Sequence, residues 1–493
     1  MQRIHSFFPN LTKIAYLVFV TALLYLALAD RVYDDPFITY RYANNIRNGV
    51  GFVYNPGEQI LSTTTPLFAI ILAVGGSFWS NLPHLANFIG SFCVAIGGLC
   101  LWELGKVWET PWVGWTGLLL YPAFPLILST LESETPLFLS LILGVFLFYA
   151  RQQYGLAFLL LVLSILTRSD GVLVAVILGT HYVWVNRSQL RESAFWSNQP
   201  WIWIGLALGL VIAWHGFAWL YFGSPLPVTL AAKQAQGRMA ISQGFAPGFL
   251  RVVGWYSGAW QYWIELVLAG IGLIFGIIKK QHWLLILSWM VLYFLAYTVL
   301  DVTRYFWYYA PLVPGWVVAV GMGFLFLGGL PISGQVSRFL SWARVYQSLL
   351  IGLLVVMFLA QLQQVDRMRS INDQRYPIYR AVGEWLRENT PADASVGALE
   401  IGIIGYFSQR PMVDFAGLLQ PDVADQMQSD TTYDDTAVWA TLAYQPQYLV
   451  LISGAHPQLE VEVVAKYCQL VKRFAGSEYG YNDMQIFLCQ YND

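Results

Sequence analysis

The interval at residues 30–66 decides the fold of this chain: DRVYDDPFITYRYANNIRNGVGFVYNPGEQILSTTTP. It is the first polar segment, and it follows an apolar run at 12–29 that is close to the ~20 residues of a membrane-spanning helix. Two adjacent carboxylates, Asp34 and Asp35, stand in it beside Arg41 and three tyrosines. A polar connection of this kind is usually a solvated loop. Acidic groups held at a membrane surface beside a cation also suit an active site, and the rest of the chain decides between these interpretations.

The composition indicates a polytopic α-helical membrane protein. Of 493 residues, 57% are hydrophobic and 11% are charged, whereas a soluble domain carries roughly 25% charged residues. The net charge of -2 hides two unlike parts, because residues 1–362 contain 18 Lys and Arg against 12 Asp and Glu, and residues 363–493 contain 9 against 17. We therefore expect a membrane domain at 1–362 and an acidic soluble domain at 363–493. No basic cluster is dense enough to predict a nucleic-acid partner.

The loop charges predict which way the helices run. Eleven apolar runs are candidates for spanning helices, at 12–29, 85–105, 111–130, 135–150, 153–167, 171–186, 201–221, 258–278, 283–300, 306–328 and 345–362. A twelfth run at 66–79 is ambiguous. If it lies along the outer surface without crossing, the basic loops all fall on the cytoplasmic side, as the positive-inside rule requires; these loops carry Lys106, Arg151, Arg187, Arg191, Lys279, Lys280, Arg338 and Arg344. We therefore expect about eleven transmembrane helices and a C-terminal domain outside the cytoplasm.

The soluble tail is predicted to be an α/β domain. Residues 377–389 have helical spacing of apolar side chains. Three short apolar runs between turn residues indicate strands, at 395–399, 447–453 and 484–489. Cys468 and Cys489 both lie in this tail, and they form a disulfide only if the tail faces an oxidising compartment. The sequence leaves both the paired and the free state open.

Given this topology, ionisable side chains of both signs gather on the outer face. They are Asp34, Asp35, Glu132, Glu134, Arg168, Asp170, Lys233, Asp301 and Arg304. Such a set suits glycosyl transfer from a polyprenyl-phosphate sugar. A carboxylate takes the proton of the acceptor hydroxyl, and Arg or Lys stabilises the charge that develops on the leaving phosphate. We predict no cofactor, although two adjacent carboxylates can also hold a divalent cation.

Each of these residues also has an ordinary structural interpretation. Arg168 and Asp170 could form a simple ion pair in a helix hairpin, Arg304 could be an interfacial anchor, and Lys233 and Glu132 could be solvated. The histidines show no metal-ligand spacing. A secondary transporter or flippase of a lipid-linked or anionic substrate is the alternative function, and a non-catalytic binding subunit is a third. The sequence contains no matched pair of Gly- or Pro-broken spans of the kind that transporters use.

Six motifs in order carry a family resemblance. The stretch DDPFITYRYANNIRNGVGFVYNPGE is followed by TTTPLF, ESETPLF, LTRSDG, YFGSPLPVTLAAK and TRYFWYYAPLVP. Together with the tail segment WLRENTPADASVGALEIGIIGYFSQRPMVDFAGL, the chain resembles the GT-C superfamily of lipid-phosphate-dependent glycosyltransferases. The nearest resemblance is to bacterial membrane arabinofuranosyl- and mannosyltransferases. A more distant one is to protein O-mannosyltransferase and lipid A aminoarabinose transferase.

The resemblance implies a GT-C membrane domain at 1–362, a first periplasmic loop with surface helices at 30–80, and a periplasmic domain at 363–493. It implies an inverting transferase of the bacterial inner membrane, with a lipid, glycan or protein acceptor. The base would be Asp34 or Asp35, with a slight preference for Asp34. Arg168, Lys233 and Arg304 would bind the donor phosphate. The acceptor and sugar would be bound by Arg41, Tyr42, Glu134, Asp170, Asp301, Tyr305 and Glu400.

The sequence departs from the family pattern at two positions. Glu132 is an additional carboxylate, and Ser169 stands where proline is common. Neither change removes a charge from the predicted site.

Overall fold

The computed structural model describes residues 2–334, 341–369 and 373–491. Arg338, one of the charges assigned above to the cytoplasmic side, lies outside the described residues.

The membrane part consists of seventeen α-helices in the described ranges. They are α1 Gln2–Leu28, α2 Pro36–Arg47, α3 Pro66–Gly76, α4 Leu82–Val107, α5 Pro111–Leu120, α6 Pro125–Leu128, α7 Thr135–Ala150, α8 Tyr154–Thr167, α9 Val172–Val185, α10 Ser193–Ser197, α11 Trp201–Phe222, α12 Thr229–Arg238, α13 Phe245–Tyr256, α14 Trp260–Ile278, α15 Leu284–Leu300, α16 Val313–Gly328 and α17 Trp342–Arg369.

The apolar helices match the predicted polytopic architecture. Six helical segments of the described chain are long and apolar enough to cross a membrane, and shorter apolar helices accompany them. Each of the eleven predicted runs contains helix, but the run at 111–130 is divided into α5 and α6. The α3 helix has 11 residues and is therefore about 16 Å long, too short for a hydrocarbon core of about 30 Å. The exact number of spans stays a prediction.

Glycines let two spanning helices pack at very short distance. A Cβ atom on Gly272 of α14 would lie 2.0 Å from the carbonyl oxygen of Ala319, and one on Gly323 of α16 would lie 2.2 Å from that of Leu268. No side chain fits in either gap, so the two backbones touch directly. Close approach through small residues is a main source of helix association in membranes. The glycines of α14 and α16 therefore allow these two helices to pack with their backbones in contact.

The C-terminal part is an α/β domain, as predicted. Its elements are α18 Tyr376–Asn389, β1 Val396–Ala398, α19 Gly402–Ser408, β2 Met412–Asp414, α20 Pro421–Asp425, α21 Tyr433–Tyr444, β3 Tyr448–Ile452, α22 Pro457–Leu459, α23 Ala465–Tyr467, β4 Cys468–Phe474, α24 Gly476–Tyr479 and β5 Met484–Cys489. The five strands form one sheet in the order β2-β1-β3-β5-β4. β1 runs parallel to β2 and β3, and β5 runs antiparallel to β3 and β4.

Two strands escaped the sequence analysis for opposite reasons. β2 has only three residues, too few to show a pattern. β4, CQLVKRF, lies at the sheet edge with most of its residues exposed, so its sequence carries no buried apolar face. β4 and β5 are joined by a disulfide between Cys468 and Cys489, which face each other in the strand register. The structure thus resolves the question that the sequence left open.

The first polar interval binds the C-terminal domain directly. The guanidinium of Arg41 is buried and donates hydrogen bonds to the carbonyl oxygens of Tyr54, Gly405 and Arg410 at 3.0, 2.6 and 2.7 Å. Asn55 exchanges two 2.9 Å hydrogen bonds with the backbone of Met412. Arg41 thus donates to three backbone carbonyl oxygens and does not line the cavity described below, so the geometry gives its predicted acceptor-binding role no support.

Candidate active site

A cavity of about 370 Å³ lies where the first polar interval, four helix ends and the C-terminal domain meet. Its charged lining residues are Asp35, Glu134, Arg168, Asp170 and Lys233. Threonines 63–65 contribute hydroxyl groups on one side, and Leu226, Leu230 and Leu300 form an apolar wall. Five ionisable side chains from four separate segments thus share one space, which the sequence had predicted from their common side of the membrane.

Asp35 is the carboxylate of the acidic pair that faces this cavity. It occupies the position before Pro36, the first residue of α2, and its side chain makes no capping hydrogen bond to that helix. Its side chain is 35% exposed, and its Oδ2 lies 3.8 Å from Nζ of Lys233. Asp residues at this position normally bind the free N–H groups of the helix. Here the carboxylate is turned into the cavity and stays available to a ligand.

Asp34 faces the opposite way. Its Oδ2 accepts the N–H of Gly402 at 3.0 Å and its Oδ1 accepts the N–H of Ile403 at 2.8 Å, both at the start of α19. The side chain is buried and does not line the cavity. Burial, together with the charge of Glu400, raises the pKa of Asp34, and the Ile403 N–H opposes that shift. The expectation that both carboxylates of the pair line one cavity is therefore wrong: Asp34 is a contact between domains.

Lys233 is a buried cation whose contacts with neighbouring groups are long. Its side chain is 7% exposed, and its ammonium stands 3.9 Å from the ring centre of Tyr305. Burial lowers the pKa of Lys233, but the charge of Asp35 leads the opposing effects, and the pKa is raised overall. Lys233 therefore carries a positive charge in the cavity, and in the described part of the chain its ammonium makes no hydrogen bond. Its donors are free for an anion.

Arg168, by contrast, is fully engaged. It donates to Asp170 Oδ2 at 2.8 Å, to Glu134 Oε1 at 3.1 Å and to the Tyr297 hydroxyl at 3.0 Å. Burial lowers the pKa of Arg168, but Asp170 and the nearby tyrosines and Glu134 raise it well above its usual value. Burial raises the pKa of Glu134, and Arg168 opposes that. Two carboxylates thus neutralise one guanidinium, so the hairpin ion pair anticipated from the sequence exists and includes a third member.

The other predicted site residues surround the cavity without lining it. The Tyr42 hydroxyl donates to the carbonyl of Ile60 and accepts the N–H of Ser62, which positions the threonine segment. Tyr305 stacks on Trp307 at 4.5 Å beneath Lys233. Glu400 pairs with Arg375 at 2.7 Å in the C-terminal domain. These three act on the site through neighbouring groups.

Arg304 and Asp301 lie farther out. The side chain of Arg304 packs against Gly248. A Cβ atom added to Gly248 would lie only 2.4 Å from the Cγ and Cδ atoms of Arg304. Asp301 ends α15 in the left-handed conformation, with φ 48°, and is exposed. Neither residue lines the cavity. The predicted phosphate contact of Arg304 and ligand contact of Asp301 have no support in the geometry, although their neighbours Leu300 and Val302 line the cavity.

Glu132, expected to be solvated, is fully buried. Neither of its carboxylate oxygens has a hydrogen-bond partner among the described residues. Burial raises the pKa of Glu132 to about 8, although the charge of Arg31 opposes the shift. The expectation was wrong because the turn 130–134 is covered by the first polar interval: the Tyr40 hydroxyl donates to the carbonyl oxygen of Glu132 itself at 2.5 Å.

Three aromatic lining residues were missed by the sequence analysis. Tyr297 donates to Asp170 Oδ2 at 2.8 Å as well as accepting from Arg168. Trp307 stacks on Tyr33 at 5.2 Å, and Tyr308 also lines the cavity. The run of aromatics at 305–309 was a visible signal for two of them. Tyr297 gave none, because a tyrosine in an apolar helix is indistinguishable from an interfacial residue.

The acidic pair does not form one set of cation ligands, because Asp34 and Asp35 point to different neighbours. In the residues that the structure describes, no group of three or more His, Cys, Asp or Glu side chains could hold a metal ion. A divalent cation at the pair stays an untested possibility, and Asp35 is the member that could contribute to it from the cavity.

Comparisons with known proteins agree on the fold. Residues 366–487 match a protein-family profile described as a domain of unknown function (DUF8728). No curated protein matches the chain. Among solved structures, the chain is similar to ArnT from Cupriavidus metallidurans bound to undecaprenyl phosphate, with 13% sequence identity, a TM-score of 0.58 and coverage of 96% of this chain and 97% of ArnT.

A second similar structure is the oligosaccharyltransferase of Archaeoglobus fulgidus in complex with Zn and sulfate. The identity is 12%, the TM-score is 0.56, and the match covers 87% of this chain and 67% of the other. At these identities the likeness establishes the fold alone. The chain has the GT-C fold of a multi-pass membrane protein, and the predicted fold class is confirmed.

Substitution of Asp34 and of Asp35 by asparagine should have different effects on the stability of the protein. We expect Asp34→Asn to destabilise the protein by about 1–3 kcal/mol, because an amide cannot accept both N–H groups and leaves one buried donor unpaired. Asp35→Asn, the matched change one residue away, should destabilise the protein less, since the Asp35 side chain accepts no backbone N–H group and its ion pair with Lys233 is long, at 3.8 Å. Thermal unfolding of the purified protein in detergent measures both. Equal stability of the two variants would contradict this assignment.

Glu132 should make stability depend on pH. Its pKa is higher in the folded chain than the ordinary value of about 4.3, so the stabilisation is complete at low pH and is lost as pH rises toward 8. Glu132→Gln should remove this pH dependence. The unfolding midpoint of the variant should therefore rise relative to that of the native protein between pH 5 and 8. Unfolding midpoints of both proteins at pH 5, 6.5 and 8 provide the measurement. Parallel curves would show that Glu132 does not titrate in this range.

Proposed function

We propose that this protein is an inverting glycosyltransferase that moves a sugar from a polyprenyl-phosphate donor to a lipid, glycan or protein acceptor. The observation that carries the proposal is the cavity in which the partly exposed Asp35 carboxylate and the buried Lys233 ammonium face each other at 3.8 Å. A base for a hydroxyl and a cation for a phosphate are the two groups that the reaction needs. Both groups line the same cavity, so a donor and an acceptor bound there would meet a base and a cation.

In this mechanism Asp35 accepts the proton of the acceptor hydroxyl. The hydroxyl oxygen attacks the anomeric carbon of the sugar, and the bond between that carbon and the phosphate oxygen breaks. The bonding electrons leave with the polyprenyl phosphate, whose added negative charge is stabilised by Lys233. Attack from the side opposite the leaving group inverts the anomeric configuration. Arg168 contributes a more distant positive charge, because Glu134 and Asp170 already occupy its donors.

The cavity also suits a lipid-linked donor in shape. Its apolar wall includes Leu226, Leu230 and Leu300, which are 61%, 46% and 37% exposed. A lipid tail can leave the cavity along such a wall while the phosphate remains at Lys233. The similar ArnT structure contains undecaprenyl phosphate, which supports a ligand of this class for the present chain.

We further propose that the protein lies in a bacterial inner membrane with the cavity and residues 363–493 on the periplasmic side. The bias of basic residues toward the opposite loops supports this orientation. The disulfide between Cys468 and Cys489 supports it independently, since disulfides persist in oxidising compartments.

Loss of Asp35 should abolish transfer in cells. We expect a deletion strain carrying Asp35→Asn to accumulate the lipid-linked sugar donor as the bare deletion does, whereas the native gene restores the product glycan. Asp301→Asn is the matched control, because it makes the same chemical change in an exposed aspartate outside the cavity. Mass spectrometry of lipid-linked sugars and envelope glycans measures donor and product together.

Full complementation by Asp35→Asn would overturn the assigned base. A secondary transporter would behave differently. It would move the lipid-linked sugar across the membrane without consuming it, and no glycan would shrink through loss of a covalent transfer.

Lys233 should dominate binding of the phosphate. We expect Lys233→Met to weaken binding of undecaprenyl phosphate to the purified protein at least tenfold, since the variant keeps a long apolar chain but loses the charge. Lys279→Met is the control, because Lys279 is exposed at the end of α14. Titration monitored by intrinsic tryptophan fluorescence reports the affinity. Unchanged affinity in Lys233→Met would contradict the assignment of this residue to the donor phosphate.

A further inference from the structure

A cluster of positive charge lies at the ends of three helices, away from the cavity. Lys13 of α1 and Lys106 of α4 place their ammonium groups 3.0 and 3.2 Å from Oε1 of Glu103, and the guanidinium of Arg151, which follows α7, contacts Oε2 of the same carboxylate. Because both ammonium groups contact one oxygen atom and the guanidinium contacts the other, the three cations are close neighbours. Three helices therefore bring positive charge to one point.

The length of α7 places this cluster near a membrane surface. Glu134 of the cavity precedes α7, and Arg151 follows it. The helix has 16 residues, about 24 Å at 1.5 Å per residue, whereas the hydrocarbon core of a bilayer is about 30 Å thick. The cluster and the cavity therefore lie near opposite surfaces of the membrane. A lipid headgroup in the leaflet opposite to the cavity lies at the depth of the cluster.

The protein neutralises only part of this positive charge. One carboxylate offsets one of the three charges, and in the described part of the chain no other Asp or Glu forms an ion pair with Lys13, Lys106 or Arg151. The Glu103 side chain is 10% exposed, whereas those of Lys13, Lys106 and Arg151 are 28%, 48% and 34% exposed. The carboxylate is thus enclosed, while the cations remain accessible to an anion from outside the protein.

The residues beside the cluster are those of a lipid-facing surface. Ile14 and Val18 of α1 are exposed apolar side chains next to Lys13 and about one turn beyond it. The ammonium of Lys106 lies 3.2 Å from the ring centre of Trp102, and this ring contacts that of the exposed Trp115. Tryptophans are enriched at the headgroup level of membranes. The cluster thus adjoins apolar and interfacial surface together, as the headgroup and chains of a phospholipid require.

We propose that Lys13, Lys106 and Arg151 bind the phosphate of an anionic phospholipid in the leaflet opposite to the cavity. Basic pockets between spanning helices suit such headgroups, and Lys and Arg form charge-assisted hydrogen bonds with phosphate oxygens. A lipid with a net negative charge offsets the charge that Glu103 leaves, whereas phosphatidylcholine carries its own cation and offsets none. The bound lipid links α1, α4 and the end of α7 from the outside, and its binding does not depend on the reaction in the cavity.

An anionic lipid should stabilise the folded protein, because a ligand that binds only the folded state raises the unfolding midpoint. We expect the midpoint of the native protein in detergent micelles with dioleoylphosphatidylglycerol to be at least about 3 °C higher than in micelles with dioleoylphosphatidylcholine. Sodium chloride at about 0.5 M should reduce this difference, since salt screens partly exposed charges. Thermal unfolding measures the midpoints, and native mass spectrometry counts the phosphatidylglycerol molecules that each chain retains.

A double variant tests the position of the site. Lys13→Gln combined with Lys106→Gln removes two of the three cations and leaves Glu103 paired with Arg151. The carboxylate therefore stays compensated, and most of the phosphatidylglycerol shift should disappear together with the retained lipid. Should this variant not fold, Lys106→Gln alone removes the most exposed of the three cations, and it should lose part of the shift.

Lys279→Gln combined with Lys280→Gln is the matched control. It removes two adjacent, exposed lysines at the end of α14, and it should keep the full shift. Equal midpoints of the native protein in the two lipids would overturn the proposal, as would a full shift in the variants of Lys13 and Lys106. An equal shift caused by inorganic phosphate in phosphatidylcholine micelles would also overturn it, because it would identify a site for a soluble anion.

Discussion

The hydrogen bonds that Asp34 accepts from Gly402 and Ile403 are the contact on which the site depends. They attach the first polar interval to the C-terminal domain, and Arg41 extends the junction through Gly405 and Arg410. Because Asp34 is held by these amides, it is not available to the cavity, and Asp35 is the carboxylate of the pair that lines it. A domain contact thereby decides which carboxylate is the candidate base.

The two cavity cations differ in what they can still bind. Arg168 is surrounded by Glu134, Asp170 and Tyr297, so its charge is neutralised and its geometry is held. Lys233 has one carboxylate at 3.8 Å and an aromatic ring beneath it. An incoming phosphate can bind Lys233 without breaking a strong hydrogen bond, whereas at Arg168 it would have to displace a carboxylate. Lys233 is therefore the better ligand for a phosphate, because binding there displaces no hydrogen-bonded carboxylate.

The distribution of charges along the sequence was sufficient to predict that five residues lie together: Asp35, Glu134, Arg168, Asp170 and Lys233. Charged side chains are costly inside the hydrocarbon region, so those that stand between apolar runs were expected to lie together. The same reasoning could not separate Asp34 from Asp35, since adjacent residues share every sequence-level property. It also misplaced Arg41, which binds the backbone of the C-terminal domain, and Glu132, which is covered by the first polar interval.

The sequence by itself determined the polytopic helical membrane part, the α/β character of the tail and the set of charged residues that share the cavity, because hydrophobic runs and charges are local properties, and the resemblance of its motifs implied the GT-C fold. Only the tertiary structure decided which carboxylate faces the cavity, which cation remains available, and that Cys468 pairs with Cys489. These outcomes depend on distances between segments far apart in the chain, and side-chain direction at such contacts leaves no trace in a local pattern.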